Sequence, residues 1–166
     1  MAKIEFAQID EYAQRLGILW KSQRKIIESA VYQGADVVAD EIKKGLLEIP
    51  IQEGENGLPP VAHKGEMLTG VSRRQKGDLI DGFGLAPMES NGDYVNTKAG
   101  FDGYGSVKTK EYPKGTPNAM LIRSIESGTS FRKKNPVVRP AVNRARKRAI
   151  KAMQEELDKQ IKSRME

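Results

Sequence analysis

A long 3.6-residue rhythm of apolar side chains constrains the fold of this chain more than any other feature. It runs from about Trp20 to Glu48, and Pro50 ends it because proline lacks the N–H that a continuing helix needs. The apolar positions are Ile26, Ile27, Ala30, Val31, Gly34, Val37, Val38, Ile42, Leu46 and Ile49. The rhythm predicts a long amphipathic helix that buries one face.

A second pattern of this kind runs from about Pro140 to Met165. Proline suits the first position of a helix, where its missing N–H is no loss, and its ring disfavours helical geometry at Arg139. We therefore expect the last helix to begin at Pro140. The shared rhythm predicts one core between the two long helices, formed by Ile27, Val31, Val38 and Ile42 against Ala141, Ala145, Ile150 and Met153.

Weaker signals lie around the first long helix. Alternation predicts a short strand at Ala2–Phe6, and helical spacing from Ile9 to Leu16 predicts a separate short helix that stops at Gly17. The Gly- and Pro-rich segment at about 51–65 is expected to form a long flexible loop.

The middle of the chain changes from helical to alternating periodicity. A short helix is expected at Ser72–Asp81, and alternating runs at Phe83–Glu89 and Tyr94–Phe101 flank Asn91-Gly92, a favoured hairpin turn. Residues Asn118–Ser127 suggest a short helix or strand. These elements predict a single α+β domain over residues 1–166, with a small antiparallel sheet and β-hairpin packed against long N-terminal and C-terminal amphipathic helices.

Composition excludes several functional classes. The 166 residues include no cysteine, which removes disulfides, thiol nucleophiles and thiolate metal sites. No apolar run approaches the roughly 18 residues of a membrane span. The first residues, MAKIEFAQID, lack the layout of a signal peptide, so we expect the chain to stay in the cytoplasm where it is made.

Catalytic and ligand-binding patterns are weak throughout. His63 is the only histidine and lies in a Gly- and Pro-rich loop, where no triad or metal cluster can be assembled around it. Asp36, Glu41 and Lys43 resemble a nuclease pattern, but they fall on a helix rather than on a strand. We therefore expect no catalytic, cofactor-binding or metal site, no small-molecule substrate and no enzymatic activity.

The first half of the last helix is strongly basic. Its cations are Arg139, Arg144, Arg146, Lys147, Arg148 and Lys151, and the whole chain carries a net charge of +6. Cations near a helix N-terminus oppose the helix dipole, so another selective pressure is expected to favour them. A phosphate backbone, an acidic protein rim and a solvated face all fit this pattern.

Four features in this order resemble the tail-completion, or neck, proteins of long-tailed bacteriophages and prophages, a head-tail joining group distantly related to the lambda minor tail protein Z. They are Gly77-Asp78-Leu79, the hairpin around Asn91-Gly92, the turn Glu126-Ser127-Gly128-Thr129, and Pro136-Val137-Val138-Arg139-Pro140-Ala141 before the last helix. The resemblance covers most of the chain.

This resemblance implies a structural role in the neck or upper tail, where a homo-oligomeric ring contacts other neck and tail proteins. The protein would occur in the host bacterial cytoplasm during assembly and then in the virion. Residues 126–141, named here the elbow, and the cations after it form the expected assembly interface. Its expected members are Glu126, Gly128, Thr129, Arg132, Pro136, Arg139, Pro140, Arg144, Arg146, Lys147 and Arg148. The alternative is a nucleic-acid-binding protein whose basic C-terminal helix makes non-specific DNA contacts.

Overall fold

The computed structural model describes residues 6–91 and 94–165, with side chains described from residue 11 onward. Helix α1 spans Phe6–Leu47 without interruption, so the expected stop at Gly17 is wrong. One glycine costs a helix only about 1 kcal/mol, which is too little to end so long an element. The strand expected at Ala2–Phe6 lies outside the described residues, except for Phe6, which begins α1.

The last helix, α4, spans Val138–Met165 and packs antiparallel against α1. Its buried face is made of small side chains, which let the two helices approach closely; they are Ala141, Ala145 and Ala149. Ser29 of α1 donates a hydrogen bond of 2.7 Å to the carboxylate of Glu156, and Arg15 donates one to the carbonyl of Met165. The pairing of two long helices is confirmed.

The elements between the long helices form a small α/β layer. Helix α2 spans Arg73–Gly82, and Ser72 begins it with a capping box in which the side chains and backbones of Ser72 and Gln75 exchange hydrogen bonds. Lys76 on α2 donates to the carbonyls of Leu47 and Ile49, so it caps the C-terminal end of α1.

Four short strands form the expected hairpin. Their bounds are Phe83–Leu85 (β1), Glu89–Ser90 (β2), Val95–Asn96 (β3) and Ala99–Phe101 (β4). β1 pairs with β4 and β2 pairs with β3, both antiparallel, with Phe83 opposite Phe101 and Glu89 opposite Asn96. The hairpin is therefore two short ladders in series rather than one continuous sheet.

Helix α3 spans Asn118–Ser127 and is tied to this layer by a buried amide. The side chain of Asn118 donates to the backbone carbonyls of Asp78 on α2, at 3.1 Å, and of Asp102 after β4, at 2.8 Å. The segment between α1 and α2 is irregular apart from a single 3₁₀ turn at Glu55–Gly57. The whole arrangement is an α+β fold, as expected from the sequence.

The core lies at one end of the helical pair, where α1 and α4 meet the α/β layer. Its central residues are Ala39, Ile42, Leu46, Ile49, Val71, Leu79, Phe83, Leu121, Ile122, Ile125, Val137 and Ala141. Of the residues expected there, Ile27 is 43% exposed and Ile150 is 48% exposed, and Val31, Val38 and Met153 are only half-buried. The α/β layer is too short to cover the full length of α1, so the apolar face of α1 continues past the core. No described helix is long and apolar enough to cross a membrane.

Candidate assembly surface

The carboxylate of Glu126, at the end of α3, caps the start of α4. It accepts hydrogen bonds from the backbone N–H groups of Val137, at 2.7 Å, Val138, at 2.9 Å, and Arg139, at 3.0 Å. Partial burial raises the pKa of Glu126, whereas the three N–H donors lower it by a larger amount. The pKa therefore lies below the usual 4.5. A negative charge in this position also complements the positive end of the α4 dipole.

Pro140 follows directly after the three capped N–H groups. The sequence predicted that it would be the first residue of the helix, and this is wrong. The helix begins at Val138, so Pro140 is its third residue and Arg139 is helical. A proline is tolerated there because the N–H groups of the first turn have no partner within the helix. Glu126 binds the three N–H groups before Pro140, and Ala141 makes the first bond within the helix, from its N–H to the carbonyl of Val137.

Gly128 and Thr129 form the turn between α3 and the basic segment. Gly128 has φ of 74°, a conformation that favours glycine, and a Cβ there would lie 3.0 Å from the backbone nitrogen of Lys134. Thr129 exchanges backbone hydrogen bonds with Arg132, and its hydroxyl accepts one from the N–H of Phe131. The turn is therefore fixed by contacts within the chain.

Arg132 points into the protein rather than toward a partner. It is only 6% exposed, its guanidinium donates to the carbonyl of Gly70, and no described residue accepts from its Nε. Burial lowers its pKa below the ordinary value. The backbone beside it pairs with Leu68 through hydrogen bonds of 2.9 and 2.8 Å to Phe131 and Lys133. Arg132 therefore anchors the elbow to the segment before α2.

Pro136 lies on the surface at the edge of a pocket of about 220 Å³. Ile49 and Pro50, after the end of α1, form the wall that faces Val137 across this pocket. The pocket separates the elbow from the end of α1, and Arg144 reaches its rim.

Arg144 and Arg148 are joined to α1 by a shared carboxylate. Arg144 Nε lies 2.9 Å from one oxygen of Glu41, and a terminal nitrogen of Arg148 lies 2.6 Å from the other. These hydrogen bonds hold the pKa of Glu41 below 4.5. The two cations therefore help to hold α4 against α1, and the single carboxylate offsets only one of their two charges.

The three other cations of the expected interface after Pro136 are less engaged, although the charge of Arg139 also attracts the carboxylate of Glu126. Arg139, Arg146 and Lys147 are exposed, and none of them forms an ion pair with the described residues. The expected interface thus divides into two groups. One group holds the fold together and includes Glu126, Gly128 and Arg132, and the other, the presented residues, is exposed to solvent. The presented residues are Pro136, Arg139, Arg146 and Lys147.

Sequence reasoning missed Glu41 as the partner of two interface residues. The spacing of Arg144 and Arg148, one helical turn apart, was a usable signal, since such a pair can grip one carboxylate on a facing helix. Trp20, at the start of the apolar rhythm that predicts a buried helix face, is 73% exposed. No sequence signal distinguishes a covered apolar stripe from an uncovered one.

The described residues contain no cluster of histidine and acidic side chains that could hold a metal ion. Glu41, the central residue of the nuclease-like pattern, is engaged by the two arginines instead. Fold and surface together define an α+β protein built on an antiparallel helical pair, with a capped and internally fixed elbow. Comparison with family models, curated proteins and solved structures finds no match to this chain.

Proposed function

We propose that this protein is a non-enzymatic structural component of the neck or upper tail of a long-tailed phage or prophage. In this proposal a ring of copies acts in head-tail joining or tail completion and contacts other neck and tail proteins. It assembles in the cytoplasm of the host bacterium and remains in the virion. The resemblance in motif order described above is the starting point of the proposal.

The observation that carries it is the contact between two of those motifs. Glu126 belongs to the Glu-x-Gly-Thr turn, and the N–H groups it binds belong to the Pro-x-x-x-Pro-Ala segment. The motifs therefore act as one unit that sets the direction of α4. A surface already fixed in the free protein loses little conformational entropy when it meets a partner, as repeated assembly of many copies requires.

The cations after the elbow supply charge for orienting a partner. Arg146 and Lys147 are the best test residues, because they are exposed and form no ion pair with described residues. In a tail-completion assay, the variant Arg146→Glu with Lys147→Glu is expected to fold normally yet fail to yield infectious particles. The matched control is Lys108→Glu with Lys110→Glu, which makes the same charge change in the exposed segment between β4 and α3.

Circular dichroism and urea unfolding of both variants serve as folding controls. Full complementation by the Arg146 and Lys147 variant would remove these cations from the assembly surface. Equal loss in the control variant would show that the effect follows from net charge rather than from this surface.

Nucleic-acid binding is the second candidate, favoured by the exposed, unpaired cations Arg139, Arg146 and Lys147 on one helix. A protein that neutralises phosphates loses DNA affinity steeply as salt rises. Salt-sensitive DNA binding that disappears in the Arg146 and Lys147 variant, with complementation retained, would favour this function over the neck role.

A further inference from the structure

The register of the β1–β4 ladder decides which backbone groups of β4 are already bonded. The N–H of Ala86 donates to the carbonyl of Lys98 at 2.7 Å, and the N–H of Asp102 donates to the carbonyl of Gly82 at 2.8 Å. In an antiparallel ladder, such hydrogen-bonded pairs alternate with pairs whose N–H and C=O groups point away from the partner strand. Even-numbered positions of β4 therefore bond to β1, and odd-numbered positions face outward.

Ala99 and Phe101 are the outward-facing residues of β4. No described residue accepts from their N–H groups or donates to their carbonyls. Ala99 and the neighbouring Gly100 are exposed, and a Cβ added to Gly100 would meet no atom within 4 Å. This edge is therefore open, and the groups that it presents are those that bind another extended backbone.

The other arm of the hairpin, formed by β1 and β2, is protected against strand addition. Between its two ladders it has three residues, 86–88, where the β3–β4 arm has two, 97 and 98. The extra residue forms a β-bulge that includes Pro87, which has no N–H to donate. Bulges and prolines block sheet edges in many proteins, whereas residues 94–101 contain no proline.

We propose that β4 of a second copy of this chain pairs with this edge, antiparallel and across a two-fold axis at Gly100, so that two hairpins form one four-stranded sheet. The inference does not rest on the neck role. In this pairing Ala99 of each copy exchanges backbone hydrogen bonds with Phe101 of the other. All the outward N–H and C=O groups of β4 are then bonded, and the contact is isologous.

Charge selects both the second copy and this register. Outward-facing residues must pair with outward-facing residues, so the axis can lie only at residues close to Gly100. With the axis at Gly100, Lys98 of each copy lies opposite Asp102 of the other, in pairs whose side chains are close together. An axis at Lys98 would set two lysines opposite each other, and an axis one residue to either side of Gly100 sets Lys98 opposite an uncharged residue.

Both charged side chains can make this contact without giving up their present partners. The Lys98 ammonium lies 3.1 Å from Glu89, and an ammonium has three N–H donors, so another remains for the second copy. Asp102 accepts from the N–H of Gly103 at 2.7 Å through one carboxylate oxygen. Its other oxygen has no described donor and can accept from Lys98 of the second copy.

The shared ladder is short, so the association should be weak. Interfaces smaller than about 1,200 Å² belong to weak and transient complexes. We therefore expect a monomer–dimer equilibrium in which the dimer forms at high protein concentration. Covalent trapping is the most direct way to detect such a dimer.

Single cysteines allow this trapping, since the chain has none of its own. Two copies of Gly100→Cys would face each other at the axis with Cα atoms about 4.5 Å apart, within the range of a disulfide. Gly84→Cys is the matched control, because Gly84 lies directly opposite Gly100 in the ladder and is equally exposed. It would lie about 14 Å from its counterpart, three strand spacings away.

Under mild oxidation of the full chain, Gly100→Cys is expected to form a covalent dimer about tenfold faster than Gly84→Cys or more, because pairing raises the effective concentration of its thiols. Equal rates for the two variants would overturn the inference.

A proline at the edge tests the backbone hydrogen bonds. Ala99→Pro removes an outward N–H but no bond to β1, so the hairpin should fold, and Ala99→Ser keeps the N–H as the control. In sedimentation velocity, Ala99→Pro should remain monomeric at concentrations where the wild type and Ala99→Ser associate. Circular dichroism checks the fold of each variant. Association of folded Ala99→Pro as strong as that of the wild type would contradict the strand pairing.

A charge swap tests the register. Lys98→Glu should weaken association, because it sets two carboxylates opposite each other at both pairs, and adding Asp102→Lys should restore it. Failure of the second change to restore association would refute the axis at Gly100.

These outcomes are distinct from those of the neck role. A dimer that forms as expected in a protein without tail-completion activity supports the pairing and refutes only the neck role. Loss of tail completion in folded Ala99→Pro, with a wild type that is monomeric throughout, assigns the edge to a strand of another protein and refutes the second copy.

Discussion

Gly34 of α1 lies directly against Met153 of α4, so closely that a Cβ on residue 34 would come within 2.5 Å of the Met153 Cγ atom. Glycine at this point costs α1 roughly 1 kcal/mol of helix propensity, but it allows the two helices to touch. The glycine that weakens the helix by itself is therefore part of what holds the helical pair together.

Replacing this glycine tests the close contact. Gly34→Ala is expected to lower the free energy of unfolding by about 1–2 kcal/mol, because overpacking outweighs the gain in helix propensity. In the Met153→Ala background, Gly34→Ala should instead stabilise, by up to about 1 kcal/mol. Urea unfolding of the four proteins measures this coupling. Stabilisation by Gly34→Ala in the wild-type background would show that the contact is loose.

Removing the Glu126 cap should loosen the start of α4. Glu126→Ala is expected to cost about 1–2 kcal/mol of stability, and Glu126→Gln less, because the amide oxygen still accepts a hydrogen bond. The exposed Glu111→Gln serves as the control in the same urea unfolding experiment. Equal stability of Glu126→Ala and the wild type would show that the cap contributes nothing.

The same carboxylate predicts a pH dependence. The folded-state pKa of Glu126 lies below 4.5, so its contribution is present above the unfolded-state pKa and is lost as pH falls through the folded-state pKa. Wild-type stability should therefore fall more steeply than that of Glu126→Gln as the pH drops below about 4.5. Parallel pH profiles of the two proteins would contradict this assignment.

Reversing Arg144 and Arg148 should destabilise the fold, since both guanidinium groups bind Glu41. Arg144→Glu with Arg148→Glu sets three carboxylates together and should lower the urea midpoint, with a smaller effect at high salt. Adding Glu41→Arg should restore much of the loss. An unchanged midpoint in the double variant would mean that these ion pairs are not formed in solution.

Arg132 is expected to be a stability residue. Arg132→Ala removes a buried hydrogen bond to Gly70 and the packing of the long side chain, and it should cost about 2–4 kcal/mol. Arg132→Met, which keeps the apolar bulk, should lose less. Thermal unfolding measures both variants. Wild-type stability of Arg132→Ala with loss of tail completion would return Arg132 to the group of presented residues.

The sequence predicted the two long helices, α2 and the hairpin, because their signals are local, but it divided α1 at Gly17 and left Asn118–Ser127 open. The helical spacing after Ser72, the stop at Pro50 and the alternation on both sides of Asn91 act within a few residues. The start of α4 was misplaced by two residues, since the cap that allows Pro140 to be the third helical residue comes from Glu126, in another helix. Long-range partners of this kind leave no local pattern.

The candidate surface was predicted less well for the same reason. Periodicity assigned Ile27 to the core together with Val38, but only the extent of the α/β layer decides which part of a stripe is covered. The run of cations gave no sign that Arg144 and Arg148 share an ion pair with Glu41 while Arg146 forms no ion pair with the described residues. Charge in a sequence shows which side chains can meet a partner, and burial shows which are already engaged.

The contacts between α1 and α4 join residues that are far apart in sequence, with separations of 103 between Glu41 and Arg144 and 127 between Ser29 and Glu156. During translation α1 is made before α4, so the part of α1 that contacts α4 has no partner helix until more than a hundred further residues have been added. Closing a loop of this length is also slow compared with forming either helix. The face of α1 that contacts α4 therefore stays without its partner helix until α4 has been made, and the pairing of the two helices is a late step of folding.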